Sequence, residues 1–294
     1  MADENAKKPG WLTRMFQNIR LFSARFRRGQ LDNRLVNCAI KGKDISAAFL
    51  IASGANPAAR NNAPLKEAAA RGHLPMLRLL LKHGVSANAE NGAALHAAIL
   101  HGERSAAKYL MQNGADIHAK DEEAIITAAA LNNVPMMELM IQSRADVNAR
   151  NGEPLKIAAQ NGRHHVVRLL IRAGADVAAG DNAALYWACR QGHRGVAEVL
   201  VGAGADIHAR NGVMLDVAAA FGHAAVLKFL LQKGVRIPGD GGLALRWAEK
   251  NGQQECAGIL REHLEKMKAP QQGPDFCMLP PPPAPPPPPK GGAP

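Results

Sequence analysis

The sequence predicts a mainly α protein built as a helical-repeat solenoid, and three observations predict it. Glycine recurs every 30 residues, at Gly54, Gly84, Gly114, Gly174, Gly204 and Gly234, with Arg144 in the one vacant slot. Leucine or isoleucine follows at Leu65, Leu95, Ile125, Leu155, Leu185, Leu215 and Leu245, and alanine three residues beyond each, from Ala68 to Ala248. A second glycine closes the pattern at Gly72, Gly102, Gly162, Gly192, Gly222 and Gly252, with Asn132 as the exception. One such unit cannot bury its own apolar face, so neighbours must stack. Aromatic residues make up only 4% of the 294, which leaves the core to small aliphatic side chains.

A basic arm spans residues 1–30 and a degenerate first unit 31–53, marked by Leu35, Cys38, Gly42, Phe49 and Leu50. Seven units follow, starting near 54, 84, 114, 144, 174, 204 and 234. Each reads as two short helices. Leu65, Ala68 and Ala69 share one stripe at helical spacing, and Gly72 stops that helix by entering the left-handed region without strain. Met76, Leu77, Leu79, Leu80 and Leu81 mark the second helix, which ends at Gly84. Pro75 and Pro135 fall in its first turn, where a missing N–H does no harm. The connector is short, as in Gly204-Ala-Asp-Ile-His-Ala-Arg-Asn-Gly212. The repeat ends at Leu264, and 265–294 is a proline- and glycine-rich tail predicted to be disordered.

The stretch Arg144-Ala-Asp-Val-Asn-Ala-Arg-Asn-Gly-Glu-Pro-Leu-Lys-Ile-Ala-Ala resembles the ankyrin repeat, and the likeness extends over 31–264. Two features depart from that family. Its repeat is about 33 residues, so about three are missing here, all between boundary glycine and helix-starting leucine. Its Thr-Pro-Leu-His start is never complete, since Ala63 and Glu153 stand where the threonine cap belongs. Asn61, Asn91, Asp121, Asn151, Asp181 and Asn211 stand four residues before the leucines. Two readings of them stay open: N-caps of an earlier-starting helix beside a shortened hairpin finger, or plain turn formers.

Charge and chemistry exclude several functions. The net +11 is uneven: seven basic and two acidic residues lie in 1–30, against 26 and 21 in 31–264. A nearly balanced central block argues against nucleic-acid binding by the basic connector tips, which stands as an alternative reading. Cys38, Cys189 and Cys256 fall in core registers and Cys277 in the tail, so no disulfide framework or zinc site is expected. His73, His193 and His223 repeat after the second glycine and read as structural. His164 and His165, being adjacent, are expected to face different ways on a helix. No nucleophile, base and orienting group converge; we expect no enzyme, no cofactor and no metal. Arg14, Arg20 and Arg25 interrupt any secretory h-region, and the expected location is cytoplasmic.

The resemblance implies a concave protein-binding face lined by connector tips and by the residues just before the second glycine. Those tips are Arg60, Glu90, Lys120, Arg150, Gly180, Arg210 and Asp240. The helix positions of interest are Arg71, Leu100, His101, Leu131, Asn161, Arg190, Gln191 and Phe221. Basic tips beside apolar residues suit a protein partner with acidic and apolar segments. At about 100° per residue, Trp11, Leu12, Met15, Phe16, Ile19, Phe22 and Phe26 share one arc of the arm, opposite its arginines. This helix is read either as a cap on the first unit or as an interfacial anchor on an anionic membrane surface. Between Pro280 and Pro289 nine of ten residues are proline, a polyproline II rod that serves as spacer or as ligand of a proline-binding module. A scaffold or adaptor is therefore the expected function; an effector exported to a host cell is a third reading the sequence does not test.

Overall fold

The computed structural model describes residues 28–237 and 242–268. The arm residues Trp11, Met15, Phe16, Ile19, Phe22 and Phe26, the tip Asp240, and the tail with Cys277 and Pro280–Pro289 lie outside the described residues. Helix α1 spans 28–41, followed by α2 (Asp44–Ala52), α3 (Ala59–Ala70), α4 (Leu74–Lys82), α5 (Ala89–Leu100) and α6 (Arg104–Gln112). Then come α7 (Ala119–Ala130), α8 (Val134–Gln142), α9 (Ala149–Gln160), α10 (His164–Arg172), α11 (Ala179–Arg190) and α12 (Arg194–Gly202). The array ends with α13 (Val213–Ala220), α14 (Ala224–Gln232), α15 (Gly242–Lys250) and α16 (Gln254–Lys268). Among the described residues there is no strand.

The helices form two layers. Inner helices α3, α5, α7, α9, α11, α13 and α15 each touch the next, as do outer helices α2, α4, α6, α8, α10, α12, α14 and α16. The repeated leucines explain this. Leu65, Leu95, Ile125, Leu155, Leu185 and Leu215 are buried, and so are Ala68, Ala98, Ala128, Ala158, Ala188, Ala218 and Ala248. Alanine on the inner helices lets their axes approach toward the lower end of about 8–10 Å, while outer-layer Leu77, Leu80, Leu110 and Leu170 fill the space behind them.

The glycines terminate helices as expected. The His73 N–H reaches the Ala68 carbonyl and the Gly72 N–H the Ala69 carbonyl, with Gly72 at φ +67°. That is a Schellman closure, satisfying carbonyls the helix end leaves open. The histidine after this glycine joins neighbouring units. Its ring nitrogen Nε2 donates to the carbonyl ending the preceding inner helix: His73 to Ile40 at 3.3 Å, His193 to Gln160 at 3.0 Å and His223 to Arg190 at 2.8 Å. A Cβ added at Gly192 would stand 2.5 Å from the His223 ring, so that position excludes a side chain on space as well as on backbone conformation.

The capping reading of the connector asparagines is corrected. Arg60, Asn61 and Asn62 take φ of 51°, 55° and 54°, and no side chain caps the helix there. Glu90–Gly92, Arg150–Gly152, Gly180–Asn182 and Arg210–Gly212 repeat this left-handed turn, and the right-handed helix starts only after it. Non-glycine residues lose about 1–2 kcal/mol each in this region, asparagine and aspartate least. That is why Asn61, Asn91, Asn151, Asp181 and Asn211 occupy its middle. The turn reading holds, and the turn occupies the shortened connector.

A side-chain ladder ties connectors together. Asn88 Oδ1 accepts the Asp116 N–H at 3.2 Å, Asn148 Oδ1 that of Asp176 at 2.8 Å, and Asn182 Oδ1 that of Asp206 at 2.8 Å. Asp32 and Glu122 do the same for Asn56 and Asp146. Within the connectors Asp116, Asp146, Asp176 and Asp206 each close an Asx turn, as Asp206 does onto the His208 N–H at 2.8 Å; Asn56 and Ser86 do the same in the first two.

Candidate partner-binding face

Each inner helix buries one stripe against its neighbours and leaves four positions per unit at the surface, for example Lys66, Glu67, Ala70 and Arg71 on α3. The residues singled out before the second glycine lie on that surface. Leu100 is 48% exposed, Leu131 42% and Phe221 49%; His101, Asn161, Gln191 and Arg71 are also exposed, and Arg190 is half-buried. These large apolar side chains stand at the ends of α5, α7 and α13, on the surface that the inner helices leave exposed.

The structure brings together a cluster at the C-terminal end. The Arg190 guanidinium lies 4.8 Å from the Trp187 ring centre and 5.1 Å from that of Phe221. Trp187 meets Tyr186 edge-on at 5.7 Å, and Phe221 stacks on His223 at 6.4 Å. Arg210 covers the Tyr186 ring at 4.9 Å, and Lys250 the Trp247 ring at 5.0 Å. Each such contact is worth about 0.5–1 kcal/mol at an exposed site, more when a partner excludes water. Trp187, Tyr186 and Trp247 were missed by sequence reasoning. An aromatic on an inner helix reads as core, yet these sit one turn before Arg190 and its equivalents, on the same face.

The basic tips are less available than their charges suggest. Arg150 Nη2 donates to the Lys120 carbonyl at 2.7 Å, while Arg210 Nη2 and Nε donate to the carbonyls of Gly180 (2.6 Å) and Asp181 (2.8 Å). These guanidinium groups fold back onto the preceding connector. Lys120 lies 3.6 Å from Glu123, and Arg71 pairs with Glu67. Arg60 is exposed at its tip. Toward the N-terminal half the face is internally neutralised: Lys66 reaches Glu90 at 3.0 Å and Lys156 pairs with Glu153.

Burial raises the carboxyl of half-buried Asp216, opposed by a hydrogen bond from the Ala244 backbone. Burial also pushes the Cys189 thiol up to about 12, so it stays protonated and inert. Cys189 and Cys256 are buried and free, as core registers require, whereas Cys38 is only half-buried. His164 and His165, expected to diverge, touch edge-on at 5.7 Å, and desolvation lowers His164. Among the described residues no cluster of His, Cys, Asp or Glu is arranged to hold a metal. No helix among them is long and apolar enough to cross a membrane. At the other end of the array, Ile45 and Phe49 on α2 are exposed beside a cleft of about 720 Å³ edged by Arg34, Lys41 and Lys43.

Two layers of short antiparallel helices, joined by tight connectors and displaying a side-chain strip on the inner layer, define a helical-repeat binding scaffold. The family model described as ankyrin repeats (3 copies) matches residues 35–121 and 124–211, and the chain belongs to the ankyrin repeat family. It is similar to the ankyrin repeat domain of human ASB11. That crystal structure superposes with a TM-score of 0.60 at 25% identity, over 69% of this chain and 99% of the other. None of the curated proteins matches. Ankyrin repeats are generally protein–protein interaction modules, and the fold is typically a non-enzymatic scaffold.

Proposed function

We propose that the chain is a non-enzymatic adaptor that binds a protein segment carrying acidic and apolar side chains, and that the inner helices α11, α13 and α15 form the principal contact. One observation carries this: four aromatic rings, Tyr186, Trp187, Phe221 and Trp247, are interleaved with Arg190, Arg210 and Lys250 on three consecutive inner helices and the turns at their ends. Aromatic and arginine side chains dominate binding hot spots because they exclude water over a large area while offering directed donors. Leu100, Leu131, His101, Asn161 and Gln191 extend the contact, and the tips Arg60, Lys120, Arg150 and Arg210 frame it. The return of Arg150 and Arg210 to backbone carbonyls weakens the rival reading of a polyanion-binding surface.

The arm and tail are accessory in this reading. Exposed Ile45 and Phe49 support capping of the first unit by the apolar arc from Trp11 to Phe26; anchoring on an anionic membrane is its alternative use. The free core cysteines support a cytoplasmic location. Affinity purification with the full chain tests the proposal. Arg190→Glu/Phe221→Ala/Trp247→Ala should lose prey that carry acidic and aromatic or aliphatic segments, and raising salt should weaken the same prey. An unchanged prey list would overturn the assignment of this surface.

A further inference from the structure

The strip on α11, α13 and α15 has a second candidate ligand within the chain. We propose that the polyproline segment Pro280–Pro289 docks in cis on Tyr186, Trp187, Phe221 and Trp247, and so competes with the external partner. The inference rests on the reading of this face as a binding surface and adds its regulation.

Chemistry supports it first. A polyproline II rod has no N–H along its prolines, so it presents flat ring faces and a row of carbonyl acceptors. Its usual receptors are aromatic-lined grooves that supply N–H or O–H donors. The strip has both, with four rings, two indole N–H groups, the Tyr186 hydroxyl and the Arg190 guanidinium between Trp187 and Phe221. The proline run is uncharged, so the cations that line the strip do not repel it.

Dimensions support it next. Inner helices lie about 8–10 Å apart, so α11 to α15 spans about 16–20 Å. Ten residues of polyproline II extend about 31 Å, enough to cross all three helices. Helix α16 packs on α15 and ends at Lys268, leaving residues 269–279 as tether. Eleven extended residues reach about 36–40 Å, twice the width of the three inner helices at about 16–20 Å. A short tether that can span the gap holds its ligand at about millimolar effective concentration, so even a weak contact is populated.

Trp187, Trp247 and Trp11 are the three tryptophans. In the full chain carrying Trp11→Phe, fluorescence therefore reports on the strip alone. Acrylamide quenching of this protein should be weaker than that of the same chain with Pro281→Gly/Pro283→Gly/Pro286→Gly/Pro288→Gly. A synthetic peptide of residues 279–289 with blocked termini should restore protection to the glycine variant, with affinity unchanged by salt. It should bind the strip of the chain with the unsubstituted tail at least about ten-fold more weakly, because the tethered copy competes. Phe221→Ala should abolish both effects. Equal quenching of intact and glycine-substituted tails would overturn the proposal, as would protection that survives Phe221→Ala or that grows with protein concentration, the mark of binding between two copies. A tail effect without any change in prey would instead leave the tail contact standing and remove the external partner.

Discussion

The two halves of the inner-helix face are built on the same scaffold and differ in what their charges meet. On α3 to α9 the cations pair with carboxylates: Lys66 with Glu90, Arg71 with Glu67, Lys120 with Glu123, Lys156 with Glu153. On α11 to α15 Arg190 and Lys250 lie over rings, and Arg210 lies over the Tyr186 ring while also standing 3.7 Å from the Asp181 carboxylate. An exposed ion pair is satisfied within the chain and worth about 0–1 kcal/mol. A cation over a ring, as Arg190 is over Trp187 and Phe221, gains when water is removed. The second half is therefore the half that profits from being covered.

The largest expected effect tests whether the scaffold itself is indifferent to this asymmetry. Leu155 and Leu185 hold the same register on α9 and α11, and both are buried. Leu155→Ala and Leu185→Ala should each lower stability by about 2–5 kcal/mol through the cavity left at a unit junction. Hydrogen exchange resolved by unit should show the loss spreading first to adjacent units, since contacts are nearest-neighbour. If one half unfolded at no cost while the other resisted, the equivalence of the two halves would fail.

Next in size is the binding asymmetry. Trp187→Ala/Phe221→Ala should cost about 2 kcal/mol or more of partner affinity, the range of hot-spot residues, whereas Leu100→Ala/Leu131→Ala should cost under about 1 kcal/mol. Titration calorimetry with an isolated partner segment decides between them. Equal losses would mean that the partner spans the whole face.

How much of this was legible follows from which positions repeat. The core was legible because Leu65, Ala68 and their equivalents are dictated by packing and so recur every 30 residues. The connector was half legible. Asparagine favours both an N-cap and the left-handed region, so Asn61 or Asn91 alone is ambiguous. The discriminating sign is the next residue, Asn62, Gly92, Gly152, Asn182 or Gly212, since two successive residues that tolerate positive φ mark a left-handed turn. The face was least legible, because Tyr186, Trp187 and Trp247 stand where no repeat rule applies. Whether Arg210 points to solvent or to the Gly180 carbonyl depends on a backbone turn that residue types alone leave open.

Punctuation offers a smaller test. The two vacant glycine slots, Asn132 and Arg144, flank α8 in the first half and adopt φ of 57° and 65°. Arg144→Gly removes about 1–2 kcal/mol of left-handed strain and returns about 0.5–1 kcal/mol through the looser unfolded chain. A net gain of about 0.5–1 kcal/mol in urea unfolding is expected. Asn132→Gly should gain less, because asparagine already tolerates the conformation. A loss at Arg144 would show that its side chain stabilises the junction in some other way.

The smallest effect probes the electrostatics of the second half. Desolvation raises the Asp216 carboxyl above its ordinary value of 3.8, so the folded state holds this proton more tightly than the unfolded chain does. The sign follows from linkage. Its contribution to stability is complete below pH 3.8 and is lost as pH rises through the higher folded value. At neutral pH the ionised carboxylate is the less comfortable form, and Asp216→Asn keeps an acceptor for the Ala244 N–H without the charge. The variant should match the parent near pH 4 and exceed it at pH 7 by about a few tenths of a kcal/mol, the scale left after solvent screening. Paired urea titrations across that range measure it. Should the variant be less stable at pH 7, the Ala244 N–H must hold the charged carboxylate more strongly than burial opposes it. Asp216 would then be a settled anion beside the aromatic strip, and an acidic partner would meet it as a repulsive neighbour there.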